Sequence, residues 1–263
     1  MPRKDPRLER IARTVNQKLL ERSIRHAVLF EQLKDAEVLR TLDLLNKRLF
    51  PRIMAEVEER LEAGMRGVWT TARQRRLTAA INKMIEVGYA RDFEKPLSNR
   101  LKKLAVVEAE ATQALLAGAM PPTIGIEMLV PSAKFLNDVV ASNPFHGRIL
   151  KPYFTGLKAN TKKGMDEAVK LGMAQGETMP QVTNRVRKHF RRVRHEVEAW
   201  TRTAISDVSN KSTIATFRAN KDVVSMYVFI ATLDARTTDI CASLDGKKFP
   251  LSSGTFLPAL HFG

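Results

Sequence analysis

Apolar residues that return every three or four positions, with charges between them, place the strongest constraint on this chain. Val38, Leu42, Leu45 and Leu49 stand at i, i+4, i+7 and i+11, and Ile53, Val57 and Leu61 continue the row. Lys47, Arg48, Glu56 and Glu59 lie off it. A strand alternates with period two, so a period near 3.6 predicts amphipathic helices. Pro51 interrupts the row and predicts either a kink or the first turn of a second helix. Gly64 and Gly67 close that stretch. A further helix is expected over residues 70–88 and a break over 92–96. Another helix is expected from a Ser98 N-cap to Gly118, stopped by Pro121 and Pro122.

Pro121, Pro122, Pro131, Pro144 and Pro152 punctuate the middle of the chain. Residues 121–152 therefore read as a Pro-rich hinge with short elements, between an N-terminal helical arm (1–120) and a C-terminal domain (153–263). Beyond the hinge a helix is expected over 155–175, with Gly176 as its left-handed cap. Thr178 can cap the next helix, with Pro180 in its first turn. Val182, Val186, Phe190, Val193, Val197 and Trp200 fall on one face of that helix, and the pattern runs to about Asn220. Then the period changes. Residues 223–232 are β-branched and aromatic and predict a strand. Asp245-Gly246 before Lys247-Lys248-Phe249 predicts a tight turn and a second short strand. The expected fold is mainly α, with a small β hairpin at the C-terminal end.

Of 263 residues 44% are hydrophobic, which excludes a disordered tail. Cys241 is the single cysteine, so no disulfide forms within the chain. No run of about 18 apolar residues predicts a membrane helix, and Met1 to Pro6 lacks the apolar stretch of a signal peptide. Forty-four Lys and Arg against 28 Asp and Glu give a net charge of +16. Such a chain is drawn to polyanions. Ten of the cations but only three carboxylates lie between Thr178 and Lys221. Arg185, Arg187, Lys188, Arg191, Arg192 and Arg194 repel one another along one helix, and a DNA backbone would relieve that repulsion. They carry no base-reading pattern, so the DNA contact is expected to be non-specific. The alternative for the same residues is a solvated face, or one docked on an acidic partner. His189 and His195 lie in this helix and would add charge below neutral pH.

The most specific text is Thr232-Leu-Asp-Ala-Arg-Thr237, then Cys241, then Leu244-Asp-Gly-Lys247, then Pro258 and His261. It resembles the C-terminal signature of the MuF-type head-morphogenesis family, the minor head proteins of tailed bacteriophages. Trp200-Thr-Arg-Thr-Ala204, Asn210 and the helix start at Gly176-Glu-Thr-Met-Pro180 are similar to further parts of that pattern, and the likeness spans about Pro144 to His261. Thr238 stands where the family has its first cysteine, and Ala204 stands where it has glutamate. Gly263 ends the chain where the family's Cys-Arg-Cys would follow, so the resemblance implies a protein that continues. It further implies a virion component inside the head near the portal, made in the host cytoplasm. Its implied partners are the portal protein, double-stranded DNA, other copies of itself, and scaffold or capsid proteins, with no membrane. The expected role is non-enzymatic assembly, genome packaging or ejection, without a cofactor.

Read physically, Thr232, Asp234, Arg236, Thr237, Cys241, Asp245, Gly246, Lys247 and His261 make a structural hairpin signature, with Asp234 and Arg236 holding a turn. Only Cys241 and His261 remain of a four-ligand zinc set, so no metal is assigned. Two other readings stay open. In a metal-dependent nuclease, Asp234, Asp239 and Asp245 would hold a divalent ion and Lys247 would steady the phosphate. A cellular helical nucleic-acid-binding protein is the other.

Overall fold

The computed structural model describes residues 6–65, 71–123, 125–142, 150–231 and 237–253. Eight α-helices and one two-stranded antiparallel sheet are found among them: α1 Pro6–Asp43, α2 Phe50–Met65, α3 Thr71–Gly88, α4 Lys95–Ala119, α5 Ala133–Ser142, α6 Leu150–Ala174, α7 Met179–Ala219, β1 Met226–Val228, α8 Asp239–Leu244 and β2 Lys248–Pro250. This is the mainly helical class that the periodicity predicts. The apolar row is buried as expected: Val38, Leu42, Leu45, Leu49, Ile53 and Val57 are each at most 3% exposed.

Pro51 falls in the first turn of α2, one of its two expected places, but the expected break over 92–96 is absent. Neither Pro51 nor the 92–96 stretch breaks the chain's helical course. A π turn, Leu44–Leu49, joins α1 to α2, and a second, Tyr89–Glu94, joins α3 to α4. In the first, the Phe50 N–H donates to the Leu45 carbonyl; in the second, the Lys95 N–H donates to the Ala90 carbonyl. Each π turn is followed, one residue on, by a proline: Pro51 and Pro96. Proline has no N–H, and its ring collides with the carbonyl four residues back in an α-helix. A widened turn just before it moves that carbonyl aside. Ser98 consequently lies inside α4 rather than capping it, because α4 starts at Lys95.

The chain forms two units. One comprises residues 37–100 and 144–202. There α2 packs on α3, α3 on α6, and the two π turns lie against each other. Leu49 approaches Gly88 so closely that a Cβ there would come within 2.7 Å of its Cδ1. Aromatic rings fill the centre. Phe93, fully buried, meets Tyr89 and Phe154 edge-on at 5.9 Å each, and Tyr153 stacks on Trp200 at 3.8 Å. The Tyr89 hydroxyl and Thr161 Oγ1 are 2.8 Å apart, and burial raises the Tyr89 pKa.

The other unit comprises residues 1–36, 101–143 and 203–263. Its core has a polar thread. Glu108, 2% exposed, accepts from Ser209 Oγ at 2.7 Å and lies 3.1 Å from His26 Nε2. Thr203, Ser206, Asp207, Ser209, Ser212, Thr216 and Asn220 are all buried. Small hydroxyl side chains can bond the carbonyl four residues back, as Ser212 and Thr216 do. The Asn220 side chain accepts from the Leu129 N–H at 2.8 Å and donates to the Leu129 carbonyl at 2.9 Å, fastening the non-helical stretch before α5.

The β module is smaller than expected. Among the described residues of the 223–232 stretch only Met226–Val228 is strand, paired with Pro250, Phe249 and Lys248. Between the two strands lies α8, a helix of six residues, so Asp245-Gly246 is not the expected two-residue hairpin turn. It closes α8 instead: Asp245 has φ −56 and only Gly246, at φ +72, is left-handed.

Candidate nucleic-acid interface

Helix α7 begins with two reciprocal end structures. At the end of α6 the Glu177 N–H donates to the Gly172 carbonyl at 2.9 Å and the Gly176 N–H to Met173 at 3.1 Å. Gly176 takes φ +64, which its lack of a Cβ permits. Three residues into α7, Gln181 Oε1 accepts from the Thr178 N–H at 2.7 Å, the backward arm of a capping box. Val182, Val186, Phe190, Val193 and Val197 then bury one face, and Trp200 is half-buried against Tyr153.

The six basic residues meet three different fates. Arg185 is committed to the α6–α7 turn. Its Nε donates to Glu177 at 2.6 Å and its Nη2 reaches both Glu177 and Gln175 at 2.5 Å. That hydrogen bonding lowers the Glu177 pKa and raises that of Arg185. Arg187 and half-buried Arg194 flank Phe190, and Arg187 also pairs with Glu58 at 3.1 Å. Lys188, Arg191 and Arg192 are exposed and, with His195, fall at i, i+3, i+4 and i+7, one helix face. Among the described residues these three cations have no ion-pair partner. His189 departs from the expectation. It is half-buried against Gly164, where a Cβ would come within 2.1 Å of the ring. Burial lowers its pKa, Arg192 adds to this, and a backbone hydrogen bond with Thr161 opposes it. It therefore resists the added charge, and only His195 of the pair is exposed.

In the terminal module Thr238 caps α8, its Oγ1 accepting from the Cys241 N–H at 3.3 Å. Thr237 and Cys241 are half-buried. Asp245 Oδ1 accepts from the Ala231 N–H at 2.8 Å, and the Gly246 N–H donates to the Phe229 carbonyl at 2.9 Å. The Lys247 carbonyl accepts from the Phe229 N–H at 3.0 Å. These bonds seat the turn on the strand end, while the Lys247 side chain is exposed. Asp239 and Asp245 stand at opposite ends of α8. Thr232, Asp234, Arg236 and His261 lie outside the described residues. Among those described, no group of three His, Cys, Asp or Glu side chains could hold a metal ion, and no helix is long and apolar enough to cross a membrane.

Residues 163–256, from within α6 through β2, match the family model described as Phage Mu protein F like protein. Over these residues the chain is similar to the Phage Mu protein F-like family of minor head proteins. No curated protein and no solved structure matches the chain. The Mu F-like segment thus holds both the exposed cationic face of α7 and the terminal turn module. It also holds Ser209, whose partner Glu108 lies outside it. Sequence reasoning overlooked Glu108, although a carboxylate in the apolar row Leu101, Ala105, Thr112, Leu116 is a signal for it.

The two half-buried histidines bias stability in opposite directions. The hydrogen bond to Glu108 raises the His26 pKa above 6.5, with charge attraction helping and burial opposing. Its stabilisation is complete below that ordinary value and lost as pH rises through the folded one. His189, with a lowered pKa, contributes above 6.5 and loses that contribution as pH falls through its folded value. In urea melts, His26→Gln is expected to cost more at about pH 5.5 than at about pH 8.5, and His189→Gln to show the opposite order. Equal costs at both pH values for either variant would refute the assignment for that ring.

Proposed function

We infer that the protein acts inside the phage head near the portal vertex, as a non-enzymatic minor head component that holds packaged double-stranded DNA through α7 and aids assembly, packaging or ejection. The carrying observation is the exposed face Lys188, Arg191 and Arg192, three cations held in no ion pair among the described residues. The family supports the setting, and the net charge of +16 supports attraction to a crowded polyanion. Leu20, Ile24 and Val28 recur every four residues on α1 and are about half exposed (49%, 49% and 58%). Such a row suits docking on the portal protein or on neighbouring copies.

The test is binding of the full chain to duplexes of unrelated sequence over a range of salt. Neutralising three phosphates gives a log–log slope of about −2.7 or steeper, with the same affinity for each duplex. No binding at low salt, or binding indifferent to salt, overturns the reading.

A further inference from the structure

Beside the exposed cationic face, a groove of about 230 Å³ runs between α2 and α7. Its floor is apolar. Phe50 and Phe190 stack at 4.3 Å with their planes 7° apart, and Pro51 and Met54 extend the surface. Its rim is cationic, formed by Arg187, Arg191 and Arg194, with Asn46 as the other polar residue and no carboxylate in the lining. Arg187 already has Glu58, but Arg191 has no ion-pair partner among the described residues. The Nε of Arg194 is buried with no hydrogen-bond partner.

We propose that this groove docks an acidic segment of a partner protein, which sets one apolar side chain against Pro51 and Met54, beside the Phe50–Phe190 pair, and carboxylates against Arg191 and Arg194. The volume lies below the roughly 300–1,000 Å³ of small-molecule sites and suits a single anchoring side chain. Charge complementarity fixes the rest of the occupant. A guanidinium rim takes carboxylates with directed hydrogen bonds. Duplex DNA answers only half of the groove, because a phosphodiester brings charge but nothing to cover Pro51 and Met54. A single-stranded base finds no open ring either: Phe50 and Phe190 face each other and are 7% and 4% exposed. This inference shares Arg191 with the DNA reading but is separable from it, since Lys188 and Arg192 do not line the groove.

The probe is a fluorescein-labelled peptide of aspartate and glutamate with one central phenylalanine, titrated with the full chain at moderate salt. Saturable binding is expected, weakened about tenfold when the peptide's phenylalanine becomes alanine at unchanged charge. Met54→Asp, checked for retained helicity, and Arg191→Glu, on an exposed side chain, are each expected to weaken it about tenfold or more. Lys188→Ala with Arg192→Ala is expected to leave it within about threefold. The proposal is overturned by absent binding, by equal affinity for the alanine peptide, or by indifference to both Met54→Asp and Arg191→Glu. It is also overturned if duplex binding, rather than peptide binding, is what Met54→Asp abolishes. Peptide binding that survives while duplex binding is absent would sink the DNA reading and leave this one standing.

Discussion

Replacing Lys188, Arg191 and Arg192 together with alanine is expected to weaken binding to duplex DNA by about 500-fold at about 0.1 M monovalent salt. Each phosphate contact releases roughly 0.9 of a counterion, so three contacts account for about 2.7 decades of affinity between 0.1 M and 1 M salt. All three side chains are exposed and none is held in an ion pair among the described residues. Alanine therefore removes charge without opening a cavity, and the melting temperature is expected to stay the same. Arg185→Ala is the informative contrast. Its guanidinium is spent on Glu177 and Gln175, so its loss should disturb the α6–α7 turn more than DNA affinity. Filter binding or anisotropy at three salt concentrations reads both the affinity and the slope. A triple variant that binds within about threefold of the parent would show that α7 is not the DNA-holding face.

Phe93→Ala is expected to destabilise the fold by about 3–5 kcal/mol, read from urea melts. Phe93 is fully buried, and its ring is flanked edge-on by Tyr89 and Phe154. The substitution forfeits transfer of the ring from water and leaves a hole that two large rings cannot collapse into without losing their own packing. Phe135→Ala supplies the comparison: that ring is 51% exposed, and its loss should cost little. A cost under about 1 kcal/mol for Phe93→Ala would mean that this aromatic centre is not the core of its unit.

Much of the fold is legible in the residues, because helices announce themselves locally. The row from Val38 to Val57 and the row from Val182 to Val197 are each buried where a period of 3.6 places them. Gly176 and Thr178 were readable for the same reason, since caps depend on a few neighbouring residues. What stayed hidden depends on distance or on small energy differences. Pro51 and Pro96 are visible as punctuation, but whether a helix stops or widens at a proline is decided by packing around it. Helix α8 spans six residues, too short for any periodic signal. Glu108 and His26 are 82 positions apart, and nothing in either neighbourhood names the other. The α7 cations show the limit most plainly. Six charges look alike in sequence, yet Glu177 captures Arg185 and Glu58 pairs with Arg187, while Lys188, Arg191 and Arg192 stay exposed.

The paired π turns carry a consequence for chain length. A π turn uses about one residue more than the α turn it replaces, and one residue is about 100° of helical rotation. Removing a single position within 89–94 would swing Leu97, Leu101 and Ala105, all now buried, about a quarter-circle away from the sides they fill. Insertions and deletions are usually absorbed by surface loops; here a one-residue change inside an uninterrupted helical stretch would re-aim everything downstream of it. The count of residues across each widened turn is therefore as much a determinant of this fold as their hydrophobicity.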